Sequence, residues 1–190
     1  MRISPVDDLV AIANHRQELL VVDLKTKAAK VIDKSPADRI SGINWSADGR
    51  WIAYSWAGQP GTFIIRIAEA KTARVHDVTS LLKFDYEPCF DPEGRYLYFL
   101  AARDYYPIYD SLQFDLSFPS SVRPFLVTLR KDVRSPFEIK SPAEEELEKA
   151  KTDKEKEAEK ARKFDIDFDG IERRIVGFPV GEGRYGQIVA

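Results

Sequence analysis

The amino-acid sequence predicts an all-β fold: a partial β-propeller of about three to four four-stranded blades, with one charged helical insertion. Three observations carry this expectation. A tight turn and the strand after it recur at a near-constant interval. Short strands graded from apolar to polar follow each turn in the same order. A highly charged segment then interrupts the pattern.

The repeated turn is clearest in two places. Ser46-Ala47-Asp48-Gly49-Arg50-Trp51-Ile52-Ala53-Tyr54 aligns with Asp91-Pro92-Glu93-Gly94-Arg95-Tyr96-Leu97-Tyr98-Phe99, a step of 45 residues. A worn copy, Ser4-Pro5-Val6-Asp7-Asp8-Leu9-Val10-Ala11-Ile12, precedes them by 42, with Asp7 in the glycine position. A partial fourth copy is read at Gly183-Arg184-Tyr185. A strand-rich period of roughly 40–45 residues is that of a propeller blade. Gly49 and Gly94 are placed where the turn needs φ > 0, so a β-branched residue at Gly94 is expected to damage folding.

Each unit supplies strands in one order. Ile40 to Ser46 and Glu87 to Asp91 precede the turn. Trp51 to Trp56 and Tyr96 to Leu100 follow it, aromatic and β-branched as strands prefer. Leu19 to Leu24 and Phe63 to Ile67 come third, and the more polar Ala29 to Ile32 and Ala73 to Val78 come last. Apolar inner strands pack on neighbouring blades, and the polar outer strand meets water. No strand is expected ahead of Ser4. The approximate repeats are 1–39, 40–85 and 86–140, the last with an inserted loop at 101–122. Propellers close with roughly four to eight blades. The chain is therefore expected to be a piece of a larger protein, or to complete its ring with a partner.

Two segments break the repeat. The 101–122 insertion is too aromatic for a loose linker. Tyr105, Tyr106, Tyr109, Phe114 and Phe118 form the candidate peptide or partner surface, with packing and function weighing evenly. Trp45 and Trp51 flank the repeated turn and are assigned to the core. Segment 141–163 reads as a helix: Ser141 and Pro142 suit its start, Glu144 to Glu146 its first turn, and Lys156, Lys160, Arg162 and Lys163 its end. With Leu147 as its one strongly apolar residue, it has no face to bury. It is read as a solvated excursion rather than a charged arm for a partner. Residues 164–190 return to propeller strand, with Ile171 to Val180 extended, and start the next blade.

The chemistry is bounded by composition. The 190 residues hold 29 Lys+Arg and 31 Asp+Glu, a net charge of −2. Such a balance argues against nucleic acid or an anionic membrane as partner. One cysteine excludes an internal disulfide. No apolar run approaches the ~20 residues that span a bilayer, and Met1 to Asp8 lack a signal-peptide pattern, so the expected compartment is the cytoplasm. His15 falls in a polar turn and His76 on an outer strand, and both read as surface histidines without a nucleophile beside them. Cys89 reads as a small packed core residue. Asp165-Ile166-Asp167-Phe168-Asp169-Gly170 opens like a calcium loop, but Val176 stands where a bidentate glutamate is needed. It is read instead as extended chain with its acids facing water. No catalytic, cofactor-binding or metal residue is assigned.

Several of these runs resemble one family. Glu87 to Leu100, Phe114-Asp115-Leu116-Ser117-Phe118-Pro119, Arg123-Pro124-Phe125-Leu126-Val127-Thr128-Leu129 and Phe168-Asp169-Gly170-Ile171-Glu172-Arg173-Arg174-Ile175 are similar to the second, seven-bladed propeller of tricorn proteases. Phe178-Pro179-Val180 with Gly183-Arg184-Tyr185 looks like the same family. The resemblance implies part of a large, oligomeric, cytoplasmic serine peptidase that degrades oligopeptides downstream of the proteasome. It also implies a propeller that guides or filters peptides. The family's catalytic residues lie in later domains, and none of them matches a position here. The remaining blades and catalytic domains are the implied partners, in the same or another chain, along with oligopeptides. Two alternatives stay open: a stand-alone propeller-type interaction module, or the propeller of a prolyl oligopeptidase-like peptidase.

Overall fold

The computed structural model describes residues 1–80, 84–103, 108–110, 115–117, 121–138 and 164–190. The expected helix at 141–163 lies outside the described residues. So do Tyr105, Tyr106, Phe114 and Phe118.

The first sheet runs β1 (Arg2–Ile3), β2 (Leu9–Ala13), β3 (Glu18–Asp23) and β4 (Ala29–Lys34), in that spatial order. The second is formed by β5 (Ser41–Trp45), β6 (Trp51–Gln59), β7 (Thr62–Glu69) and β8 (Val75–Asp77). The third begins with β9 (Phe84–Phe90) and β10 (Tyr96–Ala102). A separate antiparallel pair follows, β11 (Ile108–Asp110) with β12 (Asp115–Ser117). The third sheet then resumes with β13 (Val122–Thr128) and β14 (Ile175–Gly177). Neighbours within each sheet are antiparallel. One parallel pairing, Phe63 with Phe84, links the second sheet to the third. These are successive blades of a partial β-propeller.

The repeated turn closes identically in each blade. The amides of Ser4, Ser46 and Asp91 donate to the carbonyls of Leu9, Trp51 and Tyr96 at 2.8–2.9 Å. Gly49 and Gly94 have φ of 68° and 69°, and each donates its amide back to the first residue of its turn. The worn copy uses the Ser4 hydroxyl instead, which accepts from the amides of Val6 and Asp7. A second turn also repeats: Lys27 and Ala73 are left-handed and donate to the carbonyls of Asp23 and Glu69.

Period-two alternation builds two cores from one strand. Ile52 and Tyr54 of β6 face the first sheet, where they meet Leu19, Val21 and Ile32, with Trp45 of β5 in the same cluster. Trp51 and Ala53 of the same strand face the third, against Leu97, Phe99, Phe125 and Val127. Both faces of β6 are buried, so its sequence is almost continuously apolar. Burying each such large side chain is worth ~1.5–3 kcal/mol.

Polar groups tie the first two blades together at their outer edge. Arg66 on β7 pairs with Asp33 of β4 and Asp77 of β8, at 3.1 and 2.6 Å. Its guanidinium also lies 3.3 Å from the Trp56 ring centroid. The Tyr54 hydroxyl donates to Asp33 at 2.7 Å, and burial together with that carboxylate pushes its titration up.

Three departures from the sequence expectations concern the elements themselves. A strand does precede Ser4: β1 pairs with β2 through Arg2–Ala11 and Ile3–Val10, and the Trp45 indole donates to the Arg2 carbonyl at 3.0 Å. The stretch Ile171 to Val180 is not one strand. A 3₁₀ turn occupies Ile171–Arg174, and only β14 pairs, as the outermost strand of the third blade. His76 is not a free surface residue. It stacks on Phe168 at 3.7 Å between ring centroids, with Trp51 edge-on.

Segment 164–170 straps the second and third blades. Phe164 and Ile166 are buried in the second core, and Phe168 packs against it. Asp165, Asp167 and Asp169 alternate with them and face outward. Two of these acids are tied to Lys131 rather than gathered into a loop. Lys131 donates through its amide to Asp167 and through Nζ to Asp169, at 2.9 and 2.7 Å. The Arg174 guanidinium holds the carbonyls of Asp167 and Asp169.

Candidate functional site

Strands β1 and β5 are hydrogen-bonded on one side only, and β9 meets β7 only through the single Phe63–Phe84 pairing at its start. That leaves β1, β5 and β9 as inner edges facing a common space. The C-terminal residues 187–190 reach the same space. Together they line a cavity of about 410 Å³. A second recess of about 350 Å³ opens between the first two blades and shares Arg2, Gly42, Ile43 and Glu87 with it.

Two devices hold these inner strands open and in register. The Asn44 carboxamide oxygen on β5 accepts from the Phe90 amide on β9 at 2.9 Å. Each of the two strands also carries a bulge, seen as a register shift against its partner. The bulges fall at corresponding points of the repeat. Gly42 has φ 60° and Glu87, 45 residues later, has φ 51°. A Cβ on Gly42 would stand 2.9 Å from Cδ of Pro88 and 3.1 Å from the Glu87 amide nitrogen, so this slot takes glycine where the two bulges meet. In the third blade the same slot holds a glutamate. A left-handed non-glycine residue costs roughly 1–2 kcal/mol.

The charges of the cavity wall are unspent. Arg2 and Glu87 line it, and Arg39 lines the adjoining recess. None of the three side chains forms an ion pair with a described residue. Tyr86, beside Glu87 in the chain, is pushed up by burial and by the Glu87 carboxylate, and its hydroxyl donates to the Tyr185 carbonyl at 3.4 Å. Cys89 is half-buried in the cavity wall rather than packed in the core as the sequence suggested. Burial raises its thiol above the ordinary range, so it stays protonated at neutral pH.

Of the sequence-assigned aromatic surface, Tyr109 is described. It sits on β11 opposite Leu116 and is 59% exposed. It does not line the cavity. Trp45 and Trp51 are buried, as their flanking positions implied. The insertion departs from the third sheet just after Arg103, which clamps Asp85 in a bidentate pair at 3.0 and 2.8 Å. Among the described residues no group of three or more His, Cys, Asp or Glu is placed to hold a metal ion. No described helix is long and apolar enough to cross a membrane. Sequence reasoning missed Arg2, Asn44 and Glu87. The signal for Glu87 was there, since extending the repeat back from Gly94 places it on Gly42.

Comparison with known proteins agrees with this architecture. The family model for the tricorn protease second beta propeller domain matches residues 1–190. A chain from Sulfurisphaera tokodaii, named as a Tricorn-like protease C-terminal subunit, is 36% identical over 188 residues, covering 99% of this chain and 20% of that protein. A tricorn protease homolog from Saccharolobus solfataricus is 34% identical over 188 residues, 99% of this chain and 16% of that one. The chain thus spans a fifth or less of the length of these relatives. The crystal structure of the tricorn protease superposes with a TM-score of 0.81 at 22% identity, covering 99% of this chain and 18% of the other, and so shares the fold. The chain belongs to the family of the tricorn protease second beta-propeller domain.

Proposed function

We propose that this propeller segment lines a passage that guides or filters oligopeptides toward the catalytic domains of a tricorn-type serine peptidase. It takes no part in bond cleavage itself. The observation that carries the proposal is the cavity bounded by the inner strands of three successive blades, with unpaired charges on its wall. An extended peptide carries backbone donors and acceptors along its whole length. Inner edge strands offer complementary groups without demanding one sequence. The first blade also supports assembly with further blades. Leu24 and Val31 are 52% and 51% exposed, apolar side chains that a neighbouring sheet would cover. On this reading the peptidase works in the cytoplasm as an oligomer, on products of the proteasome.

Photocrosslinking tests the passage. A benzophenone amino acid at Ile3, on the cavity wall, is expected to label an oligopeptide substrate in the full-length protein, and unlabelled peptide is expected to compete. The control is the same group at Val31, on the outer strand β4. Equal labelling from both positions would remove the passage.

A further inference from the structure

Glu87 is the one left-handed residue other than glycine that lies inside a strand among the described residues; Gln17, Lys27 and Ala73 all occupy turns. The preceding blade fills the same slot with Gly42, which relieves that strain. A carboxylate kept in a strained position, on a cavity wall, with no cation spent on it, is a group held ready for a ligand.

We propose that Glu87 receives a primary ammonium group of an extended peptide in the cavity. This rests on the peptide-passage reading above. The left-handed backbone turns the inner strand at Glu87, and the residue borders both the cavity and the recess beside it. Tyr86, beside it in the chain, is pushed up by burial and by the Glu87 carboxylate, so it stays neutral at physiological pH and brings no charge of its own. Arg2 places positive charge on the facing strand β1. The wall is therefore bipolar, and a peptide that presents its ammonium to Glu87 is oriented rather than merely held. A half-exposed charge pair is worth about 1 kcal/mol, or roughly fivefold in affinity.

The test measures half-saturation of photolabelling from the Ile3 position in the full-length protein. The probes are a nonapeptide of Ala, Ser and Leu with a free N-terminus, its N-acetylated form, and the acetylated form with one Lys added. Wild-type protein is expected to favour the free amine over the acetylated peptide about fivefold. Recovery with the Lys peptide assigns the site to any ammonium; no recovery assigns it to the N-terminus. In Glu87→Gln the preference is expected to vanish. Glu87→Gly serves as the second variant, because it relieves the backbone. It is expected to raise the melting temperature while losing the preference. Equal half-saturation for free and acetylated peptide in wild type overturns the role of Glu87 and leaves the passage standing. Failure of every peptide to label overturns the passage itself, and this inference with it.

Discussion

Gly94 lies directly beneath the ring of Phe164. A Cβ built on Gly94 would stand 2.6 Å from Cδ2 and 2.8 Å from Cε2 of that ring, and Gly94 already has φ 69°. The turn of the third blade and the strap that crosses it are thus fitted through the absence of one side chain. Phe164 in turn meets Phe90 edge-on at 5.4 Å. Gly94→Val adds strain and overlap together, and is expected to cost about 3 kcal/mol of unfolding free energy. Urea denaturation measures it. Adding Phe164→Ala to Gly94→Val should remove the overlap but not the strain, so the two changes should be clearly non-additive. Strict additivity would mean that the ring and the turn do not touch.

Much of this arrangement was legible from residues. The turn at Gly49 and Gly94 announces itself because only a few residue types tolerate φ > 0, and the same ones return one blade later. The two-faced burial of β6 follows from its uninterrupted apolar run. The alternation of Phe164, Ile166 and Phe168 with three aspartates was equally plain, but not where it docks. Phe168 and His76 are distant in sequence, and no local pattern pairs them. β1 has two residues, too few to show a period. Glu87 was hidden for another reason. A glutamate carries no mark of a left-handed backbone, and only the alignment with Gly42 exposes it.

His76 predicts a pH dependence with a definite sign. Burial, followed by the charge of Arg74, holds its imidazole below the ordinary value of 6.5, against the opposing pull of Glu69 and Asp77. The folded protein therefore prefers the neutral ring stacked on Phe168. The unfolded chain takes up the proton at higher pH. The stability contributed by this residue is complete above about pH 6.5 and is lost as pH falls through the folded value. His76→Phe keeps the stack and removes the proton. Between pH 7.5 and 5.5 the wild-type urea midpoint should fall further than that of the variant. Parallel curves would show that His76 titrates alike in both states.

Asp85 and Arg103 predict the cost of an abandoned charge. Asp85 is fully buried, and the Arg103 side chain is 15% exposed. The guanidinium also lies over Phe125 and Phe99, at 4.7 and 5.3 Å from their centroids. The pair joins the first residues of β9 to the end of β10, where the aromatic insertion leaves the sheet. Asp85→Ala strands the guanidinium against two aromatic rings with no counter-charge, and is expected to cost about 3–5 kcal/mol. Replacing both partners, as Asp85→Leu with Arg103→Met, should recover most of that loss, because a well-packed apolar pair needs no desolvation. Equilibrium unfolding in urea separates the two cases. A loss below about 1 kcal/mol in Asp85→Ala would place the pair with exposed surface bridges and deny it a part in fixing where the insertion departs.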